Sequence, residues 1–307
     1  MKEPGFDILG LGCAAVDDLC YVEHFPGPDA NTPVLRRERQ CGGLTATALV
    51  AAARLGAACA YAGSLGDDDL SHFVEDALRR AGVDIRSVVR RAAARPVYSV
   101  IVVDETAGTR NIFYDLQGAV GADAEQPAEE VVRAARVLFV DYLGLDGVMR
   151  AARIARAAGI PVVADMDGDV TPRLREVVAL VDHLILSRAF AQKLTGLADP
   201  ARSAAALWAA ERRVVIVTEG ERGCWYLEPG SPAEPVHCPA FRVPVVDTTG
   251  CGDVFHGAYA AALAQGAALA DRVAFASAAA ALKAMRRGGQ SGVPTRATVE
   301  EFLHEHR

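Results

Sequence analysis

An α/β fold built on a mainly parallel, doubly wound sheet is predicted by three features of this 307-residue chain. Short apolar runs rich in Val, Ile and Leu alternate with Ala/Leu/Arg segments of helical period. The apolar runs are continuous rather than alternating, as strands covered on both faces require. Two stretches break that rhythm, residues 17–41 and 95–118, with polar alternation and Gly, Pro or Asn turns. They read as antiparallel hairpins, and inserted early in a parallel sheet they would form a small β lid over the strands' carboxyl ends. With no repeat or linker, residues 1–307 read as a single domain with that lid.

The elements follow in order. FDILGLG (6–12) reads as the first strand, TATALVAAARLG (45–56) as a helix ending at Gly56, and CAYAGSLG (59–66) as the next strand. LSHFVEDALRRAG (70–82) is amphipathic and stops at Gly82. A strand over RVLFVDYLG precedes a helix over 146–158, then IPVVADMDGD and a helix near 172–180. DHLILS leads to helices near 188–195 and over 200–212, and RVVIVTEG is the last of the series.

Composition excludes several classes. The chain is 51% hydrophobic and 23% charged with a formal charge of −7, so it buries a sizeable core and shows no basic tract for nucleic acid or a membrane surface. The apolar run near the N-terminus is too short, and too acidic at its exit, for a signal peptide. Seven cysteines without CxxC spacing suit reduced thiols and a cytoplasmic protein rather than a disulfide frame or zinc site. GLGCAA (10–15) brushes against a dinucleotide fingerprint, but strand-like residues follow where that motif needs a helix. The DDD at 67–69 opens a helix and reads as capping.

The chemistry gathers at 247–266, DTTGCGDVFHGAYAAALAQG. A loop with two glycines opens directly onto a helix, so the N–H groups of Gly250, Cys251 and Gly252 and the positive helix end form an anion hole. Asp253 in the first turn is either a capping carboxylate or a general base. As a base it would take the proton of a hydroxyl attacking a γ-phosphate. His256, one turn on, reads as a packed or solvated face. With three lysines and no GKS or GKT, the chain has no P-loop, so amides, Mg²⁺ and arginine must meet a triphosphate's charge.

DTTGCGDVFHGAY resembles the C-terminal signature of the ribokinase-like (PfkB-type) carbohydrate kinases, usually DTxGAGDxF. The likeness runs along nearly the whole chain. GCAAVDDLCYVEHFP, CGGLTATALVAAARLGA, AGSLGDDDLSHFVEDALRRAGVD, VIVTEGERGCWYL and ALKAMRRGGQSGVP stand in the family's order and spacing. The likeness is greatest to the ketohexokinase and sulfofructose kinase-like subgroup. It implies a ribokinase-like fold and transfer of the ATP γ-phosphate, with Mg²⁺, to a primary hydroxyl of a ketose or related sugar. It assigns the base to Asp253, the anion hole to Gly250, Cys251 and Gly252, and nucleotide contacts to Thr218 and Gly220, with Ser187 beside them. It assigns sugar contacts to Asp17, Gly42 and Gly43. A K⁺ ion would be held by Asp247, Thr249 and the carbonyls of Lys283, Arg286 and Gly288. Family lids often pair across a two-fold axis, which implies a homodimer.

Three departures stand out. Cys251 replaces an alanine; it is a passive small residue or a thiol activated by the helix end. Ser187 and Phe190 stand where relatives carry Asn-x-x-Glu, so the carboxylate that helps hold hydrated Mg²⁺ is missing. Asp167, with Asp165 and Asp169, could supply that charge, or the segment is an Asp/Gly turn. Leu44 and Thr47 occupy a pattern that often has Asn, so the Thr47 hydroxyl could meet the substrate. Asn31 in the lid and Arg110, Asn111 and Tyr114 in the second hairpin complete the expected acceptor site. One arginine and no lysine among them favours a neutral sugar or polyol over a sulfosugar. A nucleoside kinase, with Phe113, Tyr114 and Leu116 as a base slot, and a catalytically weak sugar or nucleotide sensor are the alternatives.

Overall fold

Alternation within β1 (Phe6–Leu11) sends Ile8 to one face of a sheet and Leu9 to the other, and both are fully buried. That is the physical content of the continuous apolar runs: each strand feeds two cores. The computed structural model describes residues 5–118, 120–228, 230 and 234–306. The hairpins are β2 (Ala15–Val22), β3 (Arg36–Gly42), β7 (Val97–Asp104) and β8 (Thr109–Asp115), and two short strands, β5 (Ser64–Leu65) and β6 (Val89–Arg90), pair by themselves. The remaining strands are β4 (Cys59–Tyr61), β9 (Ala135–Asp141), β10 (Val162–Asp165), β11 (His183–Ser187), β12 (Val214–Thr218), β13 (Cys224–Leu227) and β14 (Val236–Cys238).

The main sheet runs β14-β13-β12-β11-β10-β9-β1-β4. From β4 to β12 every pairing is parallel, and β13 and β14 extend it antiparallel. One face is covered by α1 (Leu44–Arg54), α2 (Asp69–Arg80), α8 (Cys251–Ala264), α9 (Leu269–Ala284) and α10 (Arg296–Glu305). The other carries α3 (Glu129–Arg133), α4 (Leu145–Ala157), α5 (Pro172–Leu180), α6 (Arg188–Thr195) and α7 (Pro200–Ala206). The doubly wound expectation is met. β1 has β4 on one side and β9 on the other, so the winding reverses there and leaves a crevice at the strands' carboxyl ends.

The lid is a four-stranded sheet, β3-β2-β7-β8. Both hairpins are antiparallel, as expected, and β2 and β7 join them in parallel register, Asp17 beside Ser99. Asp104 fastens its tip by accepting from the N–H groups of Phe25, Thr106 and Ala107 at 2.8–3.1 Å.

Two expected boundaries move. CAYAGSLG splits into β4 and β5, because Gly63 brings the chain so close to the Gly12 carbonyl that a Cβ would sit 2.4 Å from it. The helix expected over 200–212 ends at Ala206, since the chain turns at Arg212 and docks Arg213 and Val214 N–H on the Asp182 carbonyl to enter β12. Asp68 caps α2 by accepting from Leu70 and Ser71, which places the DDD run as capping. Among the described residues no helix is long and apolar enough to cross a membrane.

Candidate active site

The lid and the loop before α8 enclose a crevice of about 600 Å³. Along β2 the period of two turns Asp17, Leu19 and Tyr21 into it, opposite Thr249, Gly250 and Asp253. Gly42 and Gly43 close its floor at the start of α1. Gly43 sits at φ +91° with the Ala14–Ala15 backbone at 2.7 Å, so it accepts no side chain, and a Cβ on Gly42 would lie 2.3 Å from Asp17 Oδ2, displacing that carboxylate. Burial lifts the Asp17 carboxyl above the usual range, against the Ser99 hydroxyl's pull. Thr47 lines the same floor, its hydroxyl accepting from Gln290 Nε2 at 3.3 Å.

Three expected acceptor residues, Asn31, Asn111 and Tyr114, are not among those lining the enclosed space, and Asn111 is exposed on β8. Asn31 is exposed in the β2–β3 connection, away from the crevice lining. Tyr114 pairs with Ser99 on the lid but stays 67% exposed and does not line the enclosed space. Phe113 and Leu116 are exposed as well. Arg110, from the start of β8, does reach the crevice.

Gly250, at φ +75°, turns the chain into α8. The Cys251 N–H is partly taken by the Thr248 carbonyl at 3.2 Å, while the first-turn N–H groups of Gly252 and Asp253 have no intrahelical acceptor. A Cβ at Gly252 would meet nothing within 4 Å, so glycine keeps the mouth of the anion hole open. Burial raises the Cys251 thiol pKa, outweighing the nearby Lys283, which favours the passive small residue over the thiol activated by the helix end.

Asp253 does not stand alone. Asp165 at the end of β10 is close enough for a hydrogen bond between the two carboxyls, and each perturbs the other. Burial, then the charges of Asp141 and Asp167, pushes Asp165 up to about 8. Burial, then Asp165, raises Asp253 well above the carboxylate range. His256 is 3% exposed and packed inward, which is the packed alternative of its sequence reading. Its Nδ1 is 2.8 Å from the Gly252 carbonyl and 3.4 Å from Asp165 Oδ2, and its Nε2 is 3.1 Å from the Ile185 carbonyl. Beneath them Asp141 accepts from Cys13 N–H, Leu143 N–H and the Thr45 hydroxyl at 2.7–2.8 Å. Sequence reasoning missed Asp141; its signal was a carboxylate ending an otherwise apolar strand.

Ser187 and Thr218 are register partners at the carboxyl ends of β11 and β12, with Gly220 opening the turn beyond. The three flank the crevice rather than line it. Ser187 Oγ caps α6 by accepting from Phe190 N–H at 3.1 Å, and Phe190 is fully buried, so no carboxylate is available there. Asp167 stands exposed beyond β10, close enough for its charge to raise Asp165. Its oxygen donors at the site's lip fit the water shell of a hard divalent cation.

The expected monovalent site does not fit. Both Asp247 carboxylate oxygens accept backbone N–H groups, from Thr249 and Gly288 at 2.8 Å, and these with Lys283 hold the group below its usual range against the cost of burial. Lys283, expected to lend a carbonyl, places its Nζ there instead, 2.8 Å from the Asp247 carbonyl oxygen. Its own carbonyl accepts the Arg286 N–H at 2.9 Å.

The main sheet, the small β sheet over its carboxyl ends and the crevice between them, with Asp253 at the start of α8, have the architecture of a small-molecule enzyme. Residues 9–296 match the family described as pfkB family carbohydrate kinase, and the chain belongs to that family. It is 30% identical to the ribokinase of Bacillus subtilis (strain 168), over 97% of this chain and 99% of that protein. It superposes on the crystal structure of a putative ribokinase from Agrobacterium tumefaciens with a TM-score of 0.90, 29% identity and 98% of each chain covered. The structure of Arabidopsis thaliana ribokinase complexed with ribose and ATP shares the fold, with a TM-score of 0.85, 23% identity, and 98% and 99% of the two chains covered. The ketohexokinase and sulfofructose kinase-like subgroup is not singled out by these likenesses. The chain is an ATP-binding sugar kinase.

Proposed function

We propose that this kinase transfers the γ-phosphoryl group of ATP to a primary hydroxyl of a ketose or related sugar. The supporting observation is that Asp17, Gly42–Gly43, Asp253 and the Gly250 loop line one crevice under the lid. Asp17 and the floor amides orient the sugar, and Asp253 takes the attacking hydroxyl's proton. The hydroxyl oxygen bonds to the γ-phosphorus as the bond to the β-phosphate oxygen breaks and ADP leaves. Backbone N–H groups of the Gly250–Gly252 loop stabilise charge on the transferred group, with Arg110 entering from the lid. Thr218, Gly220 and Ser187 hold the nucleotide at the ends of β11 and β12. Mg²⁺ supplies charge neutralisation on the phosphates, and Asp167 would hold its water shell. The compartment is the cytoplasm, where the seven free thiols stay reduced.

A nucleoside is the second acceptor with a structural argument. Leu19 and Tyr21 on β2 and Ile101 and Val103 on β7 form an apolar strip across the lid's inner face, where a base could lie. Incubation with ATP, Mg²⁺ and a panel of ketoses, pentoses and nucleosides, reading ADP release, decides between them. Turnover with a ketose or related sugar is expected, and Asp253→Asn should lower kcat by about 10²–10⁴-fold while sugar binding persists. Preference for nucleosides would replace the acceptor. Tight sugar binding without any turnover would make the protein a sensor.

The lid also offers a pairing surface. Ile112 and Tyr114 on one face of β8, Phe113 on the other and Leu116 just beyond the strand are 43–67% exposed, and β8 is an edge strand. We assign this edge to a second copy of the chain, giving a homodimer through the lid.

A further inference from the structure

Lys283 is a fully buried cation one loop away from the anion hole. It lies in the last turn of α9, and its Nζ donates to the Asp247 carbonyl at 2.8 Å and stands 4.0 Å from Asp247 Oδ2. Its stem passes so close to Gly292 that a Cβ there would lie 3.3 Å from its Cε. The same segment is tied to the phosphate loop from three sides. Val246 and Asp247 N–H donate to the Ala284 carbonyl, Gly288 N–H donates to Asp247 Oδ2, and Gly289 packs on Gly250 with 3.3 Å between its Cα and an added Cβ. A buried ammonium is costly unless it is paired and hydrogen-bonded, and here its partners are the loop's carbonyl and carboxylate.

We propose that the Lys283 ammonium is a built-in replacement for an activating monovalent cation, holding the Asp247–Gly250 loop in its anion-binding shape so that phosphoryl transfer needs no K⁺. An ammonium carries the same single charge as K⁺, and here it meets the carbonyl oxygen and, at 4.0 Å, a carboxylate oxygen of Asp247, an expected K⁺ ligand. Being covalently attached, it pays no binding entropy and cannot dissociate. Lys283 is thus a positioning residue that acts through the loop. Its chain fills the space between residues 247–250 and 284–292 that a free ion would need. The inference rests on the kinase reading, and the experiment separates the two: turnover in any salt tests the kinase, while the ratio between salts tests Lys283.

Initial rates are measured at constant ionic strength in K⁺, Na⁺ and choline chloride, with ATP added as a potassium-free salt, alongside thermal melting in the same buffers. The wild type should give rates within about twofold in all three and an unchanged melting midpoint. Lys283→Ala, which empties the space, should lose about tenfold or more in kcat and regain much of it with K⁺, NH₄⁺ or methylammonium, saturably. Lys283→Met, which fills the space without charge, should lose activity and not be rescued. Saturable activation or thermal stabilisation of the wild type by K⁺ would overturn the proposal. So would loss of activity in Lys283→Ala that no cation restores while the fold melts normally. Melting gives the answer even without turnover, and the wild-type comparison decides if the variants fail to fold.

Discussion

In the proposed transfer Asp253 accepts a proton only when ionised, so the Asp165 carboxyl beside it governs the acid side of the rate profile. Two carboxyls within hydrogen-bonding reach cannot both ionise without repulsion, and Asp165 is among the groups that raise Asp253. Removing its charge removes that repulsion, so the Asp253 pKa falls. Asp165→Asn should therefore shift the acid limb of kcat/KM to lower pH, and a pH–rate profile beside the wild type checks it. An unmoved limb would mean that burial alone sets the base. At this scale much was legible. Asp253, the glycine loop and Asp17 could be placed in one crevice because carboxylates and glycines leave their mark on residue type. Asp165 was legible only as a metal-shell candidate, since its neighbour in space is 88 positions along the chain. For Lys283 only packing shows its ammonium at the Asp247 carbonyl, since a buried cation's partner lies 36 positions away.

Among the elements, α8 carries the site and is also the core's central helix, with residues Val254–Ala262 buried on every side. Its small residues let α1 approach closely. A Cβ on Gly257 would fall 2.1 Å from the Ala48 carbonyl oxygen, so Gly257→Ala must push the two helices apart. The expected cost is about 1–3 kcal/mol, read as a lower denaturation midpoint. Because α1 and α8 both begin at the crevice, where the proposed function places the sugar and the transferred phosphate, the same variant should raise KM. The alanine-rich composition made close-packed helices legible. It did not say which pair met, because alanine runs occur in α1, α8 and α9 alike. The hairpins were read correctly as hairpins from their turns, whereas their joining along β2 and β7 depends on a parallel register that alternation alone does not specify.

For the whole molecule, the proposed lid contact makes assembly and catalysis neighbours, since β8 carries both Arg110 on the crevice and the exposed apolar residues. Phe113→Asp should shift the mass measured by light scattering on a sizing column from dimer to monomer; a wild type that elutes as a monomer would remove the interface. The sequence by itself determined the doubly wound sheet, the small antiparallel hairpins, the glycine loop opening α8 and the family, because these reside in periodicity, turn residues and short contiguous motifs. Tertiary structure decided what depends on distant segments meeting. It paired Asp253 with Asp165 and His256, and moved Asn31 and Tyr114 out of the enclosed site. It also set the ammonium of Lys283 against the loop that the opening motif forms. Local patterns record what a segment does with its own backbone, whereas burial, coupled carboxyls and filled cavities are properties of pairs of segments that only folding brings within reach.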